Sequence, residues 1–464
     1  MGGFMLKLHK KQQEIIESNA RFKVIRAGRR GGKSSLEIET MVFKAVNKKG
    51  RRIFYVAPTM KQSRSIIWEL LKSRLAGIGE LNESRLEATL PTKDGGKSTI
   101  NVFGFESREN FRGMSADHIT FDEVDSMTDF FIGWQEIFRP ALLDTKGTAD
   151  FIGTPKKENP NLRRLEKEMT SEYAIFHFTT LDNPHVPKDE IEKAKKELDA
   201  ITYRQEILAE YVENTGALFK YDALVDMFSN TISKGNEKYL TVDIADDGSD
   251  KTIFTFWHGL EVYKIDMYEQ LQTDGIINQI RESAAQERVP YSQIAVDAIG
   301  VGAGVASSPL LAGIVGYKSS YSAIRTDIDL VRLPNVHYLA SAPLVTEYRN
   351  LRSQCLFTLA SLVNNHSIAV KVEDVKIKSY IIEELSNYQD VSQGDGKRMA
   401  TMKEDVKEAI GRSPDISDTL IMRMFFMIKE KMLPRQSEEQ AVIDKKISSQ
   451  FSQNEARTKM NSMK

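Results

Sequence analysis

Val24-Ile25-Arg26-Ala27-Gly28-Arg29-Arg30-Gly31-Gly32-Lys33-Ser34-Ser35 decides how this chain is read. A short apolar β-type run ends in a glycine-bearing turn, and an apolar-periodic stretch, Leu36–Val46, follows at once. The order is strand, phosphate loop, helix, with Ala27 standing where the pattern usually has its first glycine. Gly28, Gly31 and Gly32 let successive backbone N–H groups converge on phosphate oxygens. Lys33 adds a positive charge, Ser34 offers a hydroxyl to Mg²⁺, and Ser35 completes the loop. Arg29 and Arg30 lie inside the loop, where either can stabilise charge on a transferring phosphoryl group. The stretch implies a protein that binds and hydrolyses a nucleoside triphosphate.

Outward from this loop, β-type runs alternate with helical patterns: Phe22–Ile25, Ile53–Val56, Ile100–Phe105, His118–Phe121, Asp150–Ile152 and Ala174–Phe178, with helices such as Ser63–Ser73 between them. That alternation predicts a mostly parallel sheet covered by helices. His118-Ile-Thr-Phe-Asp122-Glu123 is an apolar strand ending in two acids. Asp122 can hold Mg²⁺ and Glu123 can orient the attacking water. Asp125, two residues on, reads as a solvated or helix-capping carboxylate. Thr154, in Gly153-Thr154-Pro155, is a small polar residue at the next strand tip, placed to sense hydrolysis. Arg139 lies between these motifs, and an arginine supplied across a subunit interface can stabilise the phosphoryl transition state; a surface or ion-paired arginine is the equal alternative.

The chain has 464 residues, which is long for one core and suggests two domains. Hydrophobic content of 41% and charged content of 28% fit a soluble globular protein, with no apolar run long enough for a membrane span and no signal-peptide pattern. Its single cysteine, Cys355, permits no internal disulfide and agrees with a reducing cytoplasm. The seven histidines show no zinc-type spacing, and a net charge of −1 neither supports nor excludes nucleic-acid binding.

A second α/β pattern begins near Tyr239. Asp243 sits inside the alternating strand Tyr239–Ile244, where an acid is expensive to bury unless it is paired or holds a metal. Asp246, Asp247 and Asp250 follow in a turn, where acids are ordinary. A second strand, Ile294–Val296, ends at Asp297 beside a glycine cluster. Asp415 and Asp418, three apart, open the apolar helix Ile416–Lys429. Asp418 is the better metal ligand, whereas Asp415 reads as ligand, cap or proton carrier. Acids on two strands and a helix suit a two-metal phosphodiester cleavage with the metals ~3.5–4 Å apart. The expected organisation is an N-terminal phosphate-loop domain (1–212), a linker (213–237), a second α/β domain (238–432) and a polar tail (433–464). Gln389–Met402 reads as a loop or hairpin whose Lys397 and Arg398 could touch phosphate.

Ala27–Ser34, Phe111-Arg-Gly-Met-Ser-Ala-Asp-His-Ile-Thr-Phe-Asp-Glu123 and Gly153-Thr-Pro155, taken in order, resemble the large terminase subunit of tailed bacteriophages. The resemblance implies a phosphate-loop ATPase domain of the ASCE type joined to a ribonuclease H-like nuclease domain. It also implies ATP with Mg²⁺ in the first site and two Mg²⁺ or Mn²⁺ in the second. It makes Glu123 the catalytic glutamate, Thr154 the coupling residue, Arg139 the position of an arginine finger, and Gln12 an adenine contact, with Gln13 the near alternative. Double-stranded DNA, the portal protein of the procapsid, a small terminase subunit and a homo-oligomeric ring are the implied partners. No membrane is among them, and the host cytoplasm is the implied location, with docking on the procapsid only transient and no place in the mature virion. Two other readings stay open: an ATP-dependent helicase or translocase whose second half does not cut, and a docking protein with both sites vestigial.

Overall fold

In the computed structural model the chain is described at residues 8–156, 159–168, 170–212, 216–245, 251–269, 271–324, 347–392 and 396–430. The turn acids Asp246, Asp247 and Asp250 and the tail 433–464 lie outside the described residues. Two compact units divide the chain between Ser229 and Asn230, and Val372–Ser386 counts with the first. The stretch expected as a linker holds a helix, Tyr221–Asp226, whose Tyr221, Ala223, Leu224 and Val225 are buried within the first unit.

Among the described residues the first unit contains an eight-stranded sheet. Its strands are β1 (Phe22–Ala27), β2 (Arg52–Ala57), β3 (Glu80–Asn82), β4 (Glu87–Pro91), β5 (Lys97–Gly104), β6 (His118–Phe121), β7 (Thr148–Gly153) and β8 (Tyr173–Phe178). The order is β3-β4-β5-β2-β6-β7-β1-β8. Pairs from β5 through β8 are parallel, and β3 and β4 extend the sheet antiparallel. These last two strands escape the sequence reading because β3 is short and exposed on all three residues. Apolar side chains of β1, β2, β6 and β7 meet an aromatic cluster of Phe105, Phe111, Phe130, Trp134 and Phe138 on one face. Phe121 and Phe151 stack at 5.3 Å within it. The helix Lys33–Asn47 and the Trp68 segment cover the other face. One consequence of the order matters for chemistry: β7 lies between β1 and β6, so the tip carrying Thr154 falls between the phosphate loop and the acid pair.

The second unit is built on six strands, β9 (Lys238–Asp243), β10 (Thr252–His258), β11 (Glu261–Tyr268), β12 (Ile294–Asp297), β13 (Val315–Tyr317) and β14 (Ala369–Val370), in the order β13-β12-β9-β10-β11-β14. β9, β10 and β11 form an antiparallel meander, while β12 and β13 run parallel to β9. This is the ribonuclease H-like arrangement. Because β9 and β12 are parallel with Val242 opposite Val296, Asp243 and Asp297 reach the same edge. The helix Asp415–Glu430 packs on β9 and β10 with Ile416, Leu420 and Ile421 buried, and brings its acidic first turn there too. Gln389–Met402 is a hairpin where described, with Val391 N–H donating to Met399 and Thr401 N–H to Gln389.

Candidate functional site

The phosphate loop leaves β1 under tight constraint. A Cβ at Gly28 would lie 2.4 Å from the Ile207 carbonyl oxygen and 2.6 Å from the Thr180 nitrogen, so only glycine fits. Gly32 has φ 102° and starts the helix Lys33–Asn47, while Arg30, with φ 60°, is left-handed without being glycine. Four successive carbonyls of the loop are held by side chains outside it. Thr180 Oγ1 donates to Arg29 (2.7 Å) and Asn183 Nδ2 to Arg30 (2.7 Å). His9 Nε2 donates to Gly31 (3.1 Å), which assigns the tautomer, and Gln12 Nε2 donates to Gly32 (2.8 Å). A trans peptide points its N–H opposite to its C=O. Carbonyls drawn outward therefore turn the N–H groups of Arg30, Gly32 and Lys33 to the other side, an arrangement that could hold a phosphate; the Gly31 N–H is used by Gly28.

Lys33 Nζ donates to Thr154 Oγ1 at 2.8 Å and lies 3.3 Å from Glu123 Oε1. Thr154, buried, donates in turn to the Ala27 carbonyl at 2.9 Å. Glu123 has φ 53° and ψ 47°, strained for a non-glycine residue at a strand tip. Asp122 is buried and accepts from the Tyr55 hydroxyl at 2.5 Å. Glu37, one turn beyond Lys33, is buried beside it. Burial, with the Asp122 charge adding to it, pushes the Glu37 carboxyl well above the usual range. Burial also raises Asp122, against the pull of Lys33 and Tyr55. Ser34 occupies the first turn of the helix, and Ser35 follows it.

The other candidates of this half are placed as follows. Gln12 is buried with its amide engaged at both ends, since Oε1 also accepts from His9 N–H at 2.8 Å; an adenine contact would add to these bonds. Gln13 donates to the Leu8 carbonyl. Arg29 is exposed, 3.9 Å from Glu206. Arg139 pairs with Glu172 at 3.3 Å and lies over the Phe22 ring, at the starting edge of β1 and β8. The loop follows the far end of β1, about 20 Å away, so Arg139 does not reach the loop of its own chain. Asp125 is buried rather than solvated: it caps the helix Asn161–Glu168, accepting Leu162 N–H at 2.7 Å and Lys156 N–H at 2.9 Å.

In the second unit Asp243, Asp297, Asp415 and Asp418 line one cavity of about 570 Å³, together with Arg352 and Lys403. Gly302 makes the close turn after β12, since a Cβ there would meet the Asp297 carbonyl oxygen at 1.9 Å. Ser413 donates to the Asp415 carboxylate. Neither Lys403 nor Arg352 was singled out in the sequence. Lys403 Nζ lies 2.6 Å from Asp418, 3.6 Å from Asp415 and 3.7 Å from Asp243. Arg352 donates to the second Asp418 oxygen at 3.0 Å and to Tyr388. Burial works to raise Asp418, but Lys403 and Arg352 overcome it and hold the carboxyl below its usual range. Burial raises Asp243 well above its usual value, Lys403 opposing and the other three aspartates adding. As these side chains stand, no three His, Cys, Asp or Glu residues among those described are disposed to grip a metal ion; the ammonium group sits between the acids. Arg398, expected as a phosphate contact, lies 3.8 Å over the Phe357 ring, near Glu347 and Asp390.

Comparison with known proteins bears on this arrangement. Residues 24–226 match the family described as terminase large subunit, T4-like virus type, N-terminal. No curated protein matches the chain. Among solved structures, the large terminase ATPase domain of Thermus phage P74-26 is 22% identical, covering 45% of this chain and 96% of its own, with a TM-score of 0.41. The large terminase of another thermophilic bacteriophage is 16% identical over 91% of this chain and 100% of its own, with a TM-score of 0.41. The nuclease domain of the large terminase subunit gp2 of bacterial virus Sf6 is 20% identical over 45% of this chain and 98% of its own, with a TM-score of 0.37. The stretch that matches the N-terminal part of the large terminase family, residues 24–226, is thus the one that carries the phosphate loop, the acid pair and Thr154.

Proposed function

We propose that the chain is the motor and nuclease of a DNA-packaging machine: ATP hydrolysis in the first unit drives double-stranded DNA into a procapsid, and the second unit cuts concatemeric DNA at the start and end of packaging. The observation that carries this reading is the convergence of Lys33, Thr154, Glu123 and Asp122 at one sheet edge, within the segment that matches the family. The loop N–H groups and Lys33 bind the phosphates, and Glu123 orients the attacking water. The donor set suits Mg²⁺: Asp122, Glu37 and Glu123 face Lys33 as their nearby cation, and Mg²⁺ takes one or two carboxylates plus phosphate oxygens rather than a full protein cage. Ser34 and Asp122 would hold it, where it offsets charge on the phosphates. Thr154, bonded to Lys33 and to the Ala27 carbonyl, registers the change when the γ-phosphate leaves. Arg139, half-buried at the opposite edge and paired with Glu172, serves as the finger for a neighbouring subunit of a ring. Docking on the portal protein, DNA choice by a small terminase subunit and work in the host cytoplasm belong to the same reading.

In the second unit Asp243, Asp297 and Asp418, with Asp415, form a donor set that would hold two Mg²⁺ or Mn²⁺, supplying a hydroxide and stabilising the leaving oxygen. A second reading, a translocase that does not cut, draws on the Lys403 ammonium among these acids. Plasmid cleavage by the purified chain with Mg²⁺ or Mn²⁺, beside Asp243→Ala, separates the two. Metal-dependent cutting lost in the variant supports the nuclease. ATP turnover without cutting in either metal favours the translocase.

A further inference from the structure

The turn after β8 carries no motif, yet its side chains hold the phosphate loop. Thr179-Thr180-Leu181-Asp182-Asn183 is organised from within: Asp182 accepts Thr179 N–H at 2.7 Å, and Thr179 Oγ1 accepts Leu181 N–H at 3.1 Å. Asn183 Oδ1 accepts His185 N–H at 3.1 Å, which fixes the amide so that Nδ2 points at the Arg30 carbonyl. Thr180 is buried, with its N–H on the Ile207 carbonyl and its hydroxyl on the Arg29 carbonyl. The two carbonyls so held flank the one loop residue, Arg30, that adopts a left-handed backbone without being glycine. That conformation is unfavourable for a side chain bearing a Cβ and persists only where surroundings fix it.

We infer that Thr180 and Asn183 are positioning residues of the nucleotide site: their bonds stabilise the left-handed Arg30 and so keep the loop N–H groups preset for phosphate. His9 and Gln12 do the same for Gly31 and Gly32 from the other flank, but there glycine already permits the backbone. The inference rests on the nucleotide-binding reading and adds the residues that shape its loop. Bracing by Asn183 matters because residue 30 is not glycine.

A double-mutant cycle on the full chain tests this with a fluorescent ADP analogue and Mg²⁺ as the probe. Asn183→Ala should weaken binding about three- to tenfold, the range of one hydrogen bond. In an Arg30→Gly background, where the left-handed conformation carries no penalty, the same change should weaken binding less than about twofold. Thr180→Val should behave like Asn183→Ala, and Thr180→Ser should restore the wild-type affinity by returning the hydroxyl. Melting temperatures without nucleotide should agree within about 2 °C, less than the shift from 1 kcal/mol in a small domain. Equal losses in both backgrounds, or no loss in either, overturn the positioning role while leaving nucleotide binding intact. If the wild-type chain does not bind the analogue at all, the nucleotide reading falls and this inference falls with it.

Discussion

Thr154 shows how much chemistry one hydroxyl carries here. It accepts from Lys33 and donates to the Ala27 carbonyl, so it ties the cation of the phosphate loop to the strand beneath it. Thr154→Val keeps the shape and removes both bonds, leaving a buried carbonyl without its donor, a cost of about 1 kcal/mol or more. We expect ATP turnover to fall about tenfold while affinity for the ADP analogue moves less than threefold; steady-state kinetics beside a binding titration reads both. Lys33→Ala is the harsher test: it should abolish turnover and leave DNA cutting at the wild-type rate, and equal loss of both would contradict two separate sites. Lys33, Ser34, Asp122, Glu123 and Thr154 are legible in sequence because each lies within a few residues of a strand tip. Thr180, Asn183, Arg352 and Lys403 are not. Their meaning depends on which loops the sheet order brings together. Glu37, an acid one turn past Lys33, went unread as well.

At the scale of the element, β6 performs two tasks at its two ends. Its carboxyl end delivers Asp122 and Glu123, while its first residue, His118, is fully buried between Thr148 (2.8 Å) and Thr120 (3.1 Å). Burial, and then the charges of Lys44 and Lys23, push His118 well below its usual pKa. The sign follows. An unfolded histidine titrates near 6.5, so the contribution of neutral His118 is complete above that pH. It is lost as pH falls below 6.5 toward the lower folded value, by at most about 1.4 kcal/mol per pH unit. Urea unfolding at pH 7.5 and 5.5 should therefore show wild type losing about 1 kcal/mol more than His118→Gln; identical losses would mean that the folded imidazole takes up its proton at the same pH as the unfolded one. The parallel strands were visible as apolar runs, but their order was not. β7 between β1 and β6 cannot be read from alternation, and it is that order which puts Thr154 against Lys33. Asp243 and Asp297 were readable as aspartates at strand ends. Asp297→Ala should accordingly abolish metal-dependent cutting and spare ATP turnover, whereas residual wild-type cleavage would remove Asp297 from the metal site.

For the whole molecule, the division into units is not a single cut. Val372–Ser386 counts with the first unit although it lies more than 140 residues beyond Ser229 in the chain. Its helix, Val375–Ser386, buries Ile377, Ile381, Ile382 and Leu385. It packs on the helices Phe130–Gly133 and Tyr221–Asp226, and Arg164 Nη1 donates to Ser379 at 2.9 Å. Sequence reading assigns this helix to the second domain because chain order is its only guide, whereas burial assigns it to the first. Each buried aliphatic side chain contributes roughly 1.5–3 kcal/mol as an upper figure, so the helix accounts for several kcal/mol of a stability that is typically 5–15 kcal/mol. A fragment ending at Ser229 should thus be strongly destabilised, and adding a synthetic peptide of residues 372–386 should raise its melting temperature by several degrees in a concentration-dependent way. The peptide with Ile382→Asp should not. A fragment that melts alike with and without the peptide would show that the first unit needs nothing from beyond Ser229. A rise with the wild-type peptide alone would show that the first unit is completed by a segment the chain supplies only after most of the second unit has been laid down.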